Sequence, residues 1–137
     1  MKLTTRSRYG LRAMTYIAAN SGEIPIPVTE VAEAMNLSVD YLEQLVRVLK
    51  KGNFLESLRG VKGGYQLTRP AKDIKVIDLL NTLEGPLWLA DCTQTGDCPA
   101  GNQNCPTRLL IRRMSQAIYE ELKDDTLQDM VDVYLAV

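Results

Sequence analysis

Apolar residues recur at steps of three and four through most of the chain, and the stretches that break this period mark its turns. From Arg6 to about Asn20, Leu11, Met14, Tyr16, Ile17 and Ala18 outline one face of a helix, which Ser21-Gly22 closes. Pro25 and Pro27 hold the next segment extended, and Pro27 suits the first turn of a second helix that points Val28, Val31, Ala32 and Met35 inward. Asn36 tolerates the left-handed backbone of a tight turn, Leu37 is expected to plug the core, and Ser38 is a good N-cap. The helix it opens runs from Val39 to about Lys51, with Leu42, Leu45, Val46 and Leu49 as its buried stripe. The pattern is helix, short turn, helix.

After Gly52-Asn53 the period changes. Phe54 to Arg59 predicts a short strand, Gly60-Val61-Lys62-Gly63-Gly64 a glycine-rich turn, and Tyr65 to Thr68 the returning strand, a β-hairpin with a basic tip. A helix is expected from Val76 to Glu84, stopped by Gly85-Pro86, and a loop containing cysteines follows. From Thr107 to Leu122, the residues Leu110, Met114, Ala117, Ile118 and Leu122 lie along one side of a long helix, opposite Arg112, Arg113, Gln116, Glu120 and Lys123. Thr126 with Asp129 resembles a capping pair for a short terminal helix. The expected fold is mainly α with a small β-hairpin. It divides into a winged helix-turn-helix domain over 1–85, a cysteine-rich loop over 86–106, and a dimerisation helix with a C-terminal segment over 107–137.

Composition narrows the function. The chain has 137 residues, 45% of them hydrophobic, enough for a core. No uncharged run approaches the ~20 apolar residues of a membrane span. The basic N-terminus leads into a helical pattern interrupted by Arg12 rather than into a cleavable signal, so a soluble, cytoplasmic protein is expected. Histidine is absent, which removes Ser-His-Asp and Cys-His catalysis and histidine-ligated zinc or haem; no catalytic residues and no enzyme activity are expected. The net charge of −1 conceals an asymmetry. Residues 1–75 carry twelve Lys/Arg against seven Asp/Glu, and residues 76–137 carry four against ten. The basic half suits a polyanion, and the acidic half suits subunit contacts or solubility.

A helix-turn-helix followed by a basic hairpin places its second helix in a DNA major groove and its hairpin alongside as a wing. The outward side of that helix carries Val39, Asp40, Tyr41, Glu43, Gln44, Arg47, Lys50 and Lys51. Glu43 can accept from a cytosine amino group, Gln44 can pair with adenine or phosphate, and Tyr41 can donate to phosphate. Asp40 is repelled by phosphate unless it reads a cytosine or caps its own helix. On the wing, Arg59 and Lys62 flank glycines that allow close approach, and an arginine there can enter a narrow minor groove. The candidate DNA-binding set is therefore Ser38, Asp40, Tyr41, Glu43, Gln44, Arg47, Arg59, Gly60, Lys62 and Gly64. Helix-turn-helix shapes also serve in protein–protein modules, and mixed charged faces are often simply solvated; the basic balance of this half favours DNA. The wing glycines are not a phosphate-binding P-loop, because no Gly-Lys-Ser/Thr follows. The expected partners are a double-stranded DNA operator and a second copy of the chain, with no membrane and no small-molecule substrate.

Cys92, Cys98 and Cys105 are the chain's three cysteines and fall within fourteen residues of one another, spaced C-x5-C-x6-C. The residues between them are small, polar or turn-forming and need a cross-link to be ordered. Three thiolates suit an iron–sulfur cluster or zinc, a disulfide would leave one cysteine over, and reactive or plain free thiols are the alternatives.

The segments Leu-Thr-Thr-Arg-Ser-Arg-Tyr-Gly-Leu-Arg-Ala-Met, Ser-Val-Asp-Tyr-Leu-Glu-Gln-Leu, Arg-Gly-Val-Lys-Gly-Gly-Tyr-Gln-Leu and Leu-Glu-Gly-Pro resemble the IscR/NsrR/CymR family of bacterial winged-helix regulators over nearly the whole chain. The cysteine triplet resembles its cluster-carrying members, those of the IscR type above all. The resemblance implies a homodimeric repressor or activator, with Glu43 and Arg59 at base-reading positions and Cys92, Cys98 and Cys105 at ligand positions for an iron–sulfur cluster, 2Fe-2S favoured over 4Fe-4S. It also implies that the helix from Thr107 is the dimerisation helix. Two departures stand out. Where the IscR subgroup has a ligating His three residues after the last cysteine, this chain has Arg108, with the last cysteine spacing one residue longer. Where the NsrR subgroup has an acidic ligand on the first helix, Arg8 stands nearby. The fourth ligand is left to Asp91, Asp97, a neighbouring Asn or Gln, the partner subunit or solvent. A metal-free thiol-sensing or partner-binding regulator and a small iron–sulfur electron-transfer protein are the rival readings.

Overall fold

The computed structural model describes residues 2–90, 92–93 and 105–137. Its order is α1 (Thr5–Asn20), α2 (Val28–Met35), α3 (Val39–Lys51), β1 (Leu55–Leu58), β2 (Gly64–Leu67), a 3₁₀ turn (Ala71–Asp73), α4 (Val76–Glu84), α5 (Pro106–Leu122) and α6 (Leu127–Leu135). The helical period set these elements, and their ends are set by local chemistry. Asn36 takes the left-handed conformation at φ 53°. Leu37 donates its backbone N–H to Ala32, and the Ser38 hydroxyl accepts from the Tyr41 N–H at 3.1 Å. The turn therefore hands α2 directly to a capped α3, whose last turn carries Lys50 and Lys51 where the helix dipole favours cations. Pro27 differs from its expected place. It is the extended residue before α2 (ψ 145°), and the helix begins at Val28.

One core joins these elements. Met14 and Ile17 of α1, Val31 of α2, Leu42 and Leu49 of α3, Phe54, and Leu79 and Leu83 of α4 are all buried in it. Gly10 lets α4 approach α1, since a Cβ there would stand 2.6 Å from Leu83 Cδ2. The wing pairs Leu55 with Leu67 and Leu58 with Gly64, antiparallel. Its base is closed by Arg69, whose guanidinium donates to the Asn53 carbonyl and lies 5.1 Å from the Phe54 ring centroid. This cation of the basic half serves the fold.

Two arrangements go beyond the periodic pattern. Ile26, between two prolines, exchanges backbone hydrogen bonds with Tyr65 at 2.8 and 2.9 Å and adds a one-residue third strand to the wing. The terminal helix α6, grouped by sequence with the 107–137 segment, packs against α1. Leu127 and Val131 are buried, and Leu127 alone adds roughly 1.5–3 kcal/mol of apolar burial. Backbone bonds from Leu127 N–H to the Ile74 carbonyl and from Val76 N–H to the Asp125 carbonyl tie its start to the start of α4. Thr126 and Asp129 form the expected capping box. By contrast, α5 buries only Ser115 among its residues. No helix among the described residues is long and apolar enough to cross a membrane.

Candidate nucleic-acid interface

The cap at Ser38 fixes where α3 begins, and the buried stripe fixes which side it shows. Asp40, Glu43, Gln44, Arg47, Lys50 and Lys51 are all exposed on that side, with Tyr41 half-buried. Asp40 lies in the first turn of α3, where a carboxylate is favoured by the unpaired N–H groups. Ser38 is exposed and spends its hydroxyl on the Tyr41 N–H, so its contribution at an interface is to hold the helix start. On the wing Arg59, Gly60, Val61 and Lys62 are exposed, with the turn closed by a bond from Gly63 N–H to the Gly60 carbonyl at 3.0 Å. Gly60 (φ 114°) and Gly64 (φ 156°) both occupy backbone that L side chains avoid, and a Cβ on Gly64 would also collide with the Ile26 carbonyl. The wing glycines thus shape the hairpin first. α3 packs against β1 of the wing; burial pushes the Tyr65 phenol above its ordinary range, and the Glu43 carboxylate of α3 adds to the shift.

The structure brings in a third contributor that periodicity did not single out. The Tyr9 ring meets the Tyr41 ring edge-on, 6.1 Å between centroids, and the Arg12 guanidinium lies 5.6 Å from the Tyr9 centroid. Thr4 and Arg6 line one depression with Tyr41 and Gln44. The exposed Arg6 and Arg12 of α1 therefore extend the basic face beside the start of α3. The signal was available in their spacing along the opening turns.

Glu84, the last residue of α4, anchors that N-terminal turn. Its carboxylate accepts from the Thr4 N–H at 3.2 Å, the Thr4 hydroxyl at 2.7 Å and the Ser7 hydroxyl. The Ser7 and Thr4 hydroxyls hold its carboxyl below the ordinary range. A carboxylate with a depressed pKa adds stability above its unfolded-state range, and that stability is lost as pH falls through the lowered value. Glu84→Gln is expected to cost about 1 kcal/mol, the size of a helix-cap contribution. At neutral pH this lowers the melting temperature by roughly 3–5 °C. The gap between variant and parent should close as the solution is acidified, and a gap that persists in acid would remove the carboxylate from this role.

Of the three cysteines, Cys92 and Cys105 are half-buried and Cys98 lies outside the described residues, as do Asp91 and Asp97. Cys105 is the N-cap of α5, with Pro106 behind it in the first turn. Its thiol is held below the ordinary range, first by the Arg108 backbone N–H, against an opposing contribution from desolvation, and further by the Thr107 N–H and hydroxyl and the Arg108 charge. Arg108 therefore favours a thiolate at Cys105. Its own Nε is buried without a hydrogen-bond partner among the described residues. A thiolate-stabilising helix start fits soft-metal ligation and fits thiol chemistry equally. On α5, Leu110, Met114 and Ala117 are exposed and Ile118 and Leu122 half-buried, so the expected dimerisation stripe is largely uncovered in one chain.

A capped helix-turn-helix with a paired wing and a basic face drawn from both defines a winged-helix transcription regulator. The sequence profile of Rrf2, described as an iron-dependent transcriptional regulator, matches residues 3–133. The chain belongs to the Rrf2 family. It is 39% identical over 131 residues to the protein Rrf2 of Nitratidesulfovibrio vulgaris, covering 96% of this chain and 87% of that one. It is 35% identical to the HTH-type transcriptional regulator IscR of Vibrio atlanticus, covering 96% and 75%. Among solved structures it is similar to CymR, the global cysteine regulator of B. subtilis, with a TM-score of 0.80, 34% identity and 97% and 98% of the two chains covered. The IscR of T. potens gives a TM-score of 0.77 at 36% identity, covering 98% and 88%.

Proposed function

We propose that the protein is a homodimeric, DNA-binding regulator whose operator affinity follows the state of an iron–sulfur cluster held by Cys92, Cys98 and Cys105. The observation that carries the DNA-binding part is the exposed row Glu43, Gln44 and Arg47 on a capped α3, with Arg59 and Lys62 on the adjoining wing. The thiolate-favouring position of Cys105 and the similarity to IscR proteins support the cluster, with 2Fe-2S preferred. When bound, such a cluster supplies a charge and redox state that differ between loaded and empty protein. The chain's own contribution is mechanical. Cys105 is the N-cap residue of α5, so whatever holds its sulfur also holds the start of the helix that carries Leu110 and Met114. A change there acts on DNA only by favouring one spacing of two recognition helices over another.

The likeness to CymR favours a second reading, in which the same cysteines act as metal-free thiol sensors. Both readings place DNA on the same face, so the first test is of that face. Glu43→Ala and Arg59→Ala should each lose about 1–3 kcal/mol of discrimination between operator and random DNA, because base-edge contacts carry sequence information. Lys50→Ala should weaken both DNAs alike and flatten the salt dependence of binding, the signature of a phosphate contact. Equal losses on operator and random DNA for Arg59→Ala, measured by fluorescence anisotropy at two salt concentrations, would remove its base-reading role.

A further inference from the structure

A cleft of about 650 Å³ lies between α4, the segment that follows it and α5, with walls that include Trp88, Leu109, Arg112, Arg113, Ser115 and Tyr119. Neither the DNA face nor the cysteines account for it. We propose that this cleft binds a small amphipathic organic anion, with an aromatic or aliphatic body and one carboxylate.

Four observations converge on that chemistry. The volume lies within the ~300–1,000 Å³ of small-molecule sites. Trp88, Leu109 and Tyr119 remain exposed along the walls, with Trp88 47% exposed, so an apolar body would cover surface that this chain leaves uncovered. The charged side chains lining the cleft are the guanidiniums of Arg112 and Arg113, and no acidic side chain lines it among the described residues. Ser115 is only 8% exposed, and its hydroxyl has no hydrogen-bond partner among the described residues. A helical serine ordinarily returns its hydroxyl to the carbonyl one turn back, so this one is a buried donor available to an occupant. Arginine offers a planar fork that matches a carboxylate, and it does so here beside a hydroxyl and two aromatic rings.

The geometry of α5 separates this cleft from the dimer face. At ~100° per residue, Leu109, Arg112, Arg113, Gln116 and Tyr119 centre on one side of the helix, and Leu110, Met114, Ala117 and Ile118 centre on another, roughly 150° away. A second copy of the chain seated on the dimer face would meet α5 mainly on the side away from the cleft. An occupant touching both α4 and α5 would set the angle between the DNA-binding body and the helix that spaces two such bodies. That consequence rests on the proposed function; the binding itself does not.

Trp88 is the chain's single tryptophan, so binding can be read directly on the full-length protein without DNA. The probe is pyrenebutyrate, whose ring accepts energy from tryptophan, compared with the uncharged pyrenebutanol. Pyrenebutyrate is expected to quench Trp88 saturably at one site per protomer, about tenfold more tightly than the alcohol, the scale of a charge-assisted hydrogen-bonded pair. The double variant Arg112→Gln, Arg113→Gln should erase the difference between the probes while circular dichroism keeps its helical signal. Ser115→Leu, which fills the cleft, should weaken both. Equal affinity of the parent for the two probes would overturn the proposal. So would a preference for the anion that survives loss of both arginines, or quenching seen in a dissociated chain and absent from the dimer, which would give the cleft to the partner subunit. Because DNA is absent, failure here is distinct from failure of the regulator reading.

Discussion

Replacing any one of Cys92, Cys98 and Cys105 by Ala is expected to strip visible absorption, iron and acid-labile sulfide from protein purified without oxygen. Three thiolates are the minimum protein set the chain offers for a cluster, and with no histidine in the sequence no imidazole can stand in for a lost sulfur. Arg108, three residues after Cys105, is a fixed cation that favours the Cys105 thiolate and has no lone pair to donate. The same experiment separates the readings. If the parent protein carries no iron and sulfide, and an oxidant instead joins two of its cysteines, the metal-free thiol sensor is correct. If all three variants keep full iron and sulfide, the ligand assignment is wrong. Cys105→Ala should have a second consequence, since it removes the sulfur at the N-cap position of α5, where the Arg108 and Thr107 N–H groups favour its charged form. Its loss should change operator affinity even in cluster-free protein, whereas Cys92→Ala in cluster-free protein should not.

The helix-turn-helix was legible because every boundary in it is chemical and local. Asn36 supplies the left-handed turn, Ser38 the cap and Gly52 the stop, and the stripe from Leu42 to Leu49 names the buried side without reference to any partner. The capping box at Thr126 and Asp129 was legible for the same reason. What stayed hidden depends on residues far apart in sequence. One residue between two prolines has no strand period, so the pairing of Ile26 with Tyr65 left no mark. An amphipathic pattern says that a face is buried but not against what, and the packing of α6 on α1 is a choice among equally apolar surfaces. Glu84 reads as an ordinary exposed acid at a helix end until the fold sets it against Thr4 and Ser7. The helical period does not single out Tyr9, whose ring the fold sets beside Tyr41 at the start of α3. The cysteine set was named from spacing and resemblance, and Cys98 falls outside the described residues.

Leu110→Glu is expected to convert a dimer into a folded monomer with weak operator affinity. In the single chain Leu110 is 54% exposed, Met114 and Ala117 beside it are also exposed, and the one buried residue of α5 is Ser115. An apolar stripe of this length, left in water on a helix that buries almost nothing of itself, marks a contact surface. In a two-fold dimer it would meet its own copy, so one substitution places two carboxylates in the interface. Burying an unpaired carboxylate costs on the order of several kcal/mol, and ~1.4 kcal/mol is already tenfold in a dissociation constant. In the monomer the same carboxylate faces water, so the fold loses little. Sedimentation should therefore show a halved mass, with helical content and melting nearly unchanged. Operator affinity should fall by about 100-fold or more, because two half-sites are then bound independently. Val133→Glu supplies the comparison, since Val133 and Leu135 are a second pair of exposed apolar residues, on α6. That variant is expected to remain dimeric. A Leu110→Glu protein that keeps the dimer mass, or a Val133→Glu protein that loses it, would move the interface from α5 to the terminal helix.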